Sequence, residues 1–197
     1  MSDFITIDTG QTATRIKESY EPYNLVGEDD PILKKPTFEV DFNSDINVKE
    51  IVGRLKETVI KTRAYGIAAP QVGLPYSIIV IGANEEYVPL INPKIISASD
   101  DSVHMEEGCL SFPFLVLGVN RPATVTVEFH NEQGEKLNLT FSGISARIVQ
   151  HEIDHLHGIT FDTKTKPLAL KRGKVKREKQ MKRFARHLIA QRKLQQA

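Results

Sequence analysis

Gln150-His151-Glu152-Ile153-Asp154-His155 is the stretch on which both architecture and chemistry turn. It reads H-E-x-x-H inside a segment with helical character, from about Ser145 to His157, which Gly158 ends. Residues four apart on a helix share a face, with Cβ atoms about 5–6 Å apart, so two imidazoles can grip one metal ion. Glu152, one position after the first histidine, can reach a water on that ion without being a ligand itself. The plain alternative is a polar helix face with two solvated histidines, and the motif alone does not decide between them. His157 lies two residues past His155, points elsewhere and reads as a surface residue.

A catalytic metal site typically keeps three protein ligands and one open position. Downstream, Phe161 to Lys182 offers no histidine and, as acids, only Asp162 and Glu178. Upstream lies the single cysteine, in Glu106-Glu107-Gly108-Cys109-Leu110-Ser111-Phe112-Pro113. One cysteine excludes an intrachain disulfide and fits a reducing compartment. By itself it is either buried packing or chemistry.

Working outward, Asn47 followed by Glu50 has the form of a capping box, and Val48, Ile51, Val52, Leu55 and Val59 recur at helical spacing. A helix over about Val48 to Arg63 is expected. Tyr76 to Ile81 and Val88 to Ile96 read as strands. Ala123 to His130 and Lys136 to Phe141 alternate apolar with polar residues, and Asn131-Glu132-Gln133-Gly134 between them reads as a hairpin turn. Pro31-Ile32-Leu33 looks like a turn. From Lys174 to Leu194, Met181, Phe184, Ala185 and Leu188 fall on one side of a basic amphipathic helix.

Composition bounds the rest. With 197 residues, 40% hydrophobic and 26% charged, the chain suits one folded domain with an appendage rather than a disordered chain. No window approaches the ~20 consecutive apolar residues of a membrane span, and the first residues lack a signal-peptide pattern, so the cytoplasm is the expected location. Residues 1–163 are expected to form the catalytic body, with an irregular arm over 1–24. Residues 164–197 form a basic extension. That extension carries thirteen Lys and Arg against Glu178 alone, a net +12, while the rest of the chain carries −11. Such asymmetry points to a polyanionic partner.

Three segments occur in order: Gly66-Ile67-Ala68-Ala69-Pro70-Gln71, then Glu107-Gly108-Cys109-Leu110-Ser111, then His151-Glu152-Ile153-Asp154-His155. Together they resemble the motifs of the peptide deformylase family, over roughly Leu25 to Phe161, with Pro31-Ile32-Leu33 and Pro36 similar to its N-terminal region. One departure is visible, because the first motif usually has glycine where Ala64 stands, followed here by Tyr65. The resemblance implies an α+β fold, with antiparallel sheets around a central helix that carries the H-E-x-x-H motif. It implies Cys109, His151 and His155 as metal ligands with water in the fourth position. Fe(II) is the metal expected in the cell, with Zn, Ni or Co possible in preparations. It implies Glu152 as the proton carrier, with the Leu110 backbone N–H and the Gln71 amide as donors to the oxyanion. The activity implied is removal of the formyl group from the initiator methionine of nascent polypeptides, releasing formate.

Ile148 and Ile144, one and two turns before His151, are expected to line an apolar slot for the methionine side chain. Tyr65, Gly66, Glu107 and Gly108 are expected to flank the peptide. Arg121 is expected to pair with Glu107 or Asp154. The extension is expected to dock on ribosomal RNA near the emerging chain, and the protein is read as a monomer with no membrane partner. Two other classes compete. A zincin-like metalloprotease would share the histidine motif but cleave internal peptide bonds, and the Cys109 segment argues against it. A catalytically retired relative would serve as a ribosome- or RNA-associated module, yet every chemical residue is present.

Overall fold

The computed structural model of the chain describes residues 20–83 and 86–195. Most of the irregular arm expected over 1–24 therefore lies outside the described residues. Helix α1 spans Val48–Thr62. Asn47 caps it by accepting from the Glu50 N–H, and Arg63, in the left-handed region, ends it. Five strands form an antiparallel sheet in the order β1 (Gly66–Ala68), β2 (Ile78–Ala83), β3 (Glu86–Ala98), β6 (Thr124–His130) and β7 (Lys136–Ser142). β4 (Ser102–Cys109) and β5 (Phe112–Pro122) pair as a separate antiparallel hairpin. Helix α2 runs over Gly143–Leu156 and α3 over Pro167–Gln195. The fold is α+β.

The period of two along β2 distributes the core. Ile79 and Ile81 point to one face, where they pack with Val125, Val127, Phe129 and Phe141 against Ala146, Val149, Ile153 and Leu156 of α2. Ile78 and Val80 point to the other face, against Val52, Leu55 and Val59 of α1. This is what alternation in a strand and a 3.6-residue repeat in a helix produce when each meets its partner. α2 is covered on its far side as well. The β4–β5 hairpin closes over it, with Leu115, Leu117 and Val119 forming a third apolar cluster with Leu33, Phe112 and Phe161. From Val149 to Leu156 every residue of α2 is therefore buried, the ionisable ones included. Gly158 adopts φ +71 as the chain leaves α2, and a Cβ there would lie 2.7 Å from the Lys34 backbone, so only glycine closes this corner.

Helices α1 and α2 and the β6–β7 hairpin fall close to where their periodicity places them. Pro31–Lys34 is a short 3-10 helix capped by Asp30 rather than a simple turn. α3 starts at Pro167, seven residues before the expected Lys174, since proline suits a first helical turn. It seats on the body through the partly buried Leu170, Gly173 and Arg177, one turn apart. From Glu178 to Leu194 each side chain is exposed. No helix among the described residues is long and apolar enough to cross a membrane.

Candidate active site

Cys109 closes β4 where the hairpin register slips, between Gly108 and Cys109, and Leu110-Ser111 make the turn into β5. The irregularity re-aims the thiol, as bulges beside functional sites do. Its Sγ lies 3.3 Å from His155 Nε2. The ligand atoms of Cys109, His151 and His155 all fall within 4.8 Å of one another. The two imidazoles are 5.1 Å apart and nearly perpendicular, on one face of α2. Gln71 arrives on the 3-10 turn Ala69–Val72 after β1. Its carbonyl oxygen accepts from the Ala68 N–H at 2.8 Å, which turns the amide nitrogen toward Cys109 Sγ, 3.4 Å away.

Behind the histidines lies a buried charge network. Arg121, on β5, donates twice to Glu107 at 2.6 and 2.9 Å and once to Asp154 at 2.7 Å. It thus joins both carboxylates, where one was expected. Arg147 adds a 2.6 Å bond to the same Glu107 oxygen and binds the Val119 and Val103 carbonyls of the hairpin. Lys164 pairs with the other Asp154 oxygen. His151 Nδ1 lies 3.0 Å from Glu107 Oε2. A carboxylate held by two guanidinium groups is ionised and can only accept. Nδ1 therefore carries the proton, which leaves Nε2 for a metal. Burial opposes the charge on Glu107, but Arg121 and His151 hold its carboxyl well below the usual range. Burial likewise opposes a charged His151, yet contacts with Cys109 and Glu107 outweigh it and push its pKa up to about 10. In the metal-free site His151 thus holds a proton beside the thiol, and a bound cation would displace it. His155 goes the other way: burial and the neighbouring charges of His151 and Arg121 keep it neutral.

Glu152 is buried and its Oε2 has no hydrogen-bond partner among the described residues. Burial raises its pKa to about 7, against the smaller opposing pull of His151 and Arg121. A buried carboxyl poised near neutrality suits proton transfer. Gly66 lies against it: a methyl there would lie 2.8 Å from a Glu152 carboxylate oxygen and 2.9 Å from Ile148. Glycine thus allows close packing against the Glu152 and Ile148 side chains, in an extended strand.

These groups open on a cleft of about 870 Å³. Tyr65, Gly66, Gln71, Glu107, Gly108, Cys109, Leu110, Ile144, Ile148, His151 and Glu152 all line it, so it brings together the expected residues, with His155 buried behind. The Glu107 carboxylate, however, is committed to Arg121, Arg147 and His151, which leaves its backbone to face a peptide. Sequence reasoning missed Arg147, which lies between Ile144 and Ile148 and reads as an ordinary exposed arginine. It also missed Met105, Phe114 and Val116 of the hairpin, which complete the cleft wall.

A thiolate and two imidazoles in one pocket fit a borderline or soft divalent cation. The profile of the polypeptide deformylase family matches residues 22–171. The chain belongs to that family. It is 41% identical over 134 residues to the peptide deformylase of Natranaerobius thermophilus, covering 68% of this chain and 85% of that protein. The Aquifex aeolicus peptide deformylase is 43% identical over 136 residues, covering 66% and 79%. In structure the chain is similar to a peptide deformylase from Synechococcus elongatus solved in complex with actinonin. That likeness has a TM-score of 0.76 and 32% identity, and covers 85% of this chain and 94% of that one. Peptide deformylases are metal-dependent hydrolases, and Cys109, His151 and His155 form the candidate metal site here.

Proposed function

We propose that the chain hydrolyses the N-formyl group of nascent polypeptides, with Cys109, His151 and His155 holding the metal and Glu152 carrying the proton. The observation behind this reading is the convergence of those three donors beside a buried carboxyl whose Oε2 has no hydrogen-bond partner among the described residues. When bound, the ion supplies Lewis-acid activation of water at neutral pH. Glu152 takes a proton from the attacking water and returns it to the departing amine. The Leu110 N–H and the Gln71 amide donate to the oxyanion, each worth about 3–4 kcal/mol in comparable sites. Gln71 is suited to this because its other end is pinned to Ala68. Ile144 and Ile148 accept the methionine side chain. Tyr65, Gly66 and Gly108 flank the peptide, and Glu107 does so through its backbone.

Fe(II) is the metal we assign in the cell, with Zn, Ni or Co able to replace it, since the donor set is tolerant and thiolate with ferrous iron is prone to oxidation. The enzyme works as a cytoplasmic monomer. Residues 1–163 form the catalytic body, and residues 164–197 dock on ribosomal RNA. Thirteen cations, largely on an exposed helix, support the docking. Release of formate from formyl-Met-Ala-Ser should fall by about 10²–10⁴ in Glu152→Ala while metal content is unchanged. An undiminished rate would refute the role of Glu152. Removing residues 179–197, which leaves the Leu170–Arg177 seam in place, should abolish ribosome co-sedimentation and spare the short peptide. Unaltered co-sedimentation would end the docking reading.

A further inference from the structure

Large apolar side chains stand exposed around the cleft. Tyr65 precedes β1, and Phe114 and Val116 lie on β5; all three line the opening, and Phe114 is 40% exposed. Phe114 has φ +64, a left-handed conformation that a bulky residue adopts only when its surroundings impose it. Those surroundings come from α3. Arg177 Nε donates to the Pro113 carbonyl at 2.9 Å, fixing the peptide just before Phe114, and the same guanidinium is anchored by Glu28 at 2.6 Å. Two turns on, the Phe184 ring tilts against the Phe114 ring at a centroid distance of 5.3 Å. Gly173 makes this approach possible, because a Cβ there would lie 2.5 Å from Leu117. α3 thus holds the cleft wall at three points, none of which the reaction at the metal needs.

We infer that α3 positions Phe114 as an aromatic subsite for an apolar side chain in the residues following formyl-methionine. The C-terminal helix then sets part of the substrate preference. This rests on the deformylase reading, which supplies the peptide that lies in the cleft. Aromatic faces recognise apolar and aromatic side chains by area and edge contacts. Phe184 is a positioning residue, acting through Phe114. A contact of this kind is made equally in ground and transition states, so its loss should appear in KM with kcat unchanged.

The experiment measures kcat and KM for formyl-Met-Ala-Ser and formyl-Met-Leu-Phe in the parent, Phe114→Ala, Phe184→Ala and Phe184→Tyr proteins. The ratio of kcat/KM between the two peptides should favour formyl-Met-Leu-Phe in the parent. It should drop about fivefold to tenfold in Phe114→Ala and about threefold in Phe184→Ala, through KM. Phe184→Tyr, which keeps the ring, should restore it. A parental ratio in Phe184→Ala overturns the inference, including the case where both peptides slow equally. Absence of formate release from either peptide in the metal-loaded parent would instead defeat the deformylase reading, so the two failures are distinguishable.

Discussion

Around His151 the protein buries Glu107, Arg121, Arg147, Glu152 and Asp154 within one hairpin and one helix, whereas α3 holds nearly all its cations in solvent. Both regions are rich in arginine, and they use it in opposite ways. Arg121 directs each of its three guanidinium nitrogens at one of two carboxylates, which a planar guanidinium does better than lysine. The desolvation cost of such a cluster is large, and replacing it with apolar groups is often neutral or better for stability. What the network secures is orientation: His151 keeps one tautomer and one ring pose, and Glu107 cannot drift. On α3 the ion pair Lys182–Glu178 is exposed, Arg186 bonds the Lys182 carbonyl of its own helix, and no other cation past Arg177 has an ion pair among the described residues. One region is insulated from solvent conditions, and the other is open to any polyanion and to salt.

The strongest way to break the comparison is Arg121→Met. It leaves Glu107 and Asp154 buried with their main partner gone, which costs about 3–5 kcal/mol of stability. Thermal or urea unfolding measures this, and metal affinity should fall with it as His151 loses its anchor. A variant that unfolds like the parent would show that Arg147 and Lys164 suffice to hold the carboxylates.

A second test uses pH. Glu152 has a folded pKa of about 7 against an ordinary 4.5. Its folded form therefore holds a proton that the unfolded chain has released. The stability it contributes is complete below about pH 4.5 and is lost as pH rises through 7, amounting to about 3 kcal/mol at most. In the metal-free protein Glu152→Gln should remove this slope. The stability of the parent relative to the variant should fall between pH 5 and pH 8, as followed by urea denaturation. His151 adds a slope of the same sign in both proteins, smaller in the variant because the Glu152 charge helps His151 hold its proton, so the difference between the curves keeps its sign. Parallel curves would mean that water reaches the carboxylate and burial does not set its pKa.

The two regions also differed in how far the sequence revealed them. α1, α2 and the β6–β7 hairpin each have one face on a core, so their periodicity is clean. The hairpin that carries Cys109 has no such pattern. β4 has Ser102, His104, Glu106 and Glu107 among few apolar residues, and only Glu107 is buried, for a polar reason. β5 is apolar on both sides because Leu115, Leu117 and Val119 meet Leu33, Phe161 and Leu170, while Phe114 and Val116 face the cleft and Phe114 meets Phe184. Arg147 was illegible for a related reason: burial of a charge depends on partners distant in sequence, here Glu107 and the Val103 and Val119 carbonyls. The short motifs did point to Cys109, His151, His155, Glu152 and Gln71, which the structure brings together beside one cleft, because each motif fixes its own local backbone. The three positions that seat the first half of α3, Leu170, Gly173 and Arg177, are too few to stand out among so many cations.

The smallest expected effect sharpens the comparison from the other side. Glu178→Gln removes the only acid of residues 164–197 and breaks its exposed pair with Lys182. Surface pairs of this spacing contribute little and are screened by salt, so the melting temperature should not move measurably. Binding to ribosomal RNA should tighten slightly at low salt, because one repulsive charge near phosphate is gone, and the gain should vanish as ionic strength rises. A lower melting temperature would mean that the Glu178–Lys182 pair helps to hold α3 on the body. Unchanged or weaker RNA binding at low salt would mean that the exposed half of the helix is not the surface that meets phosphate.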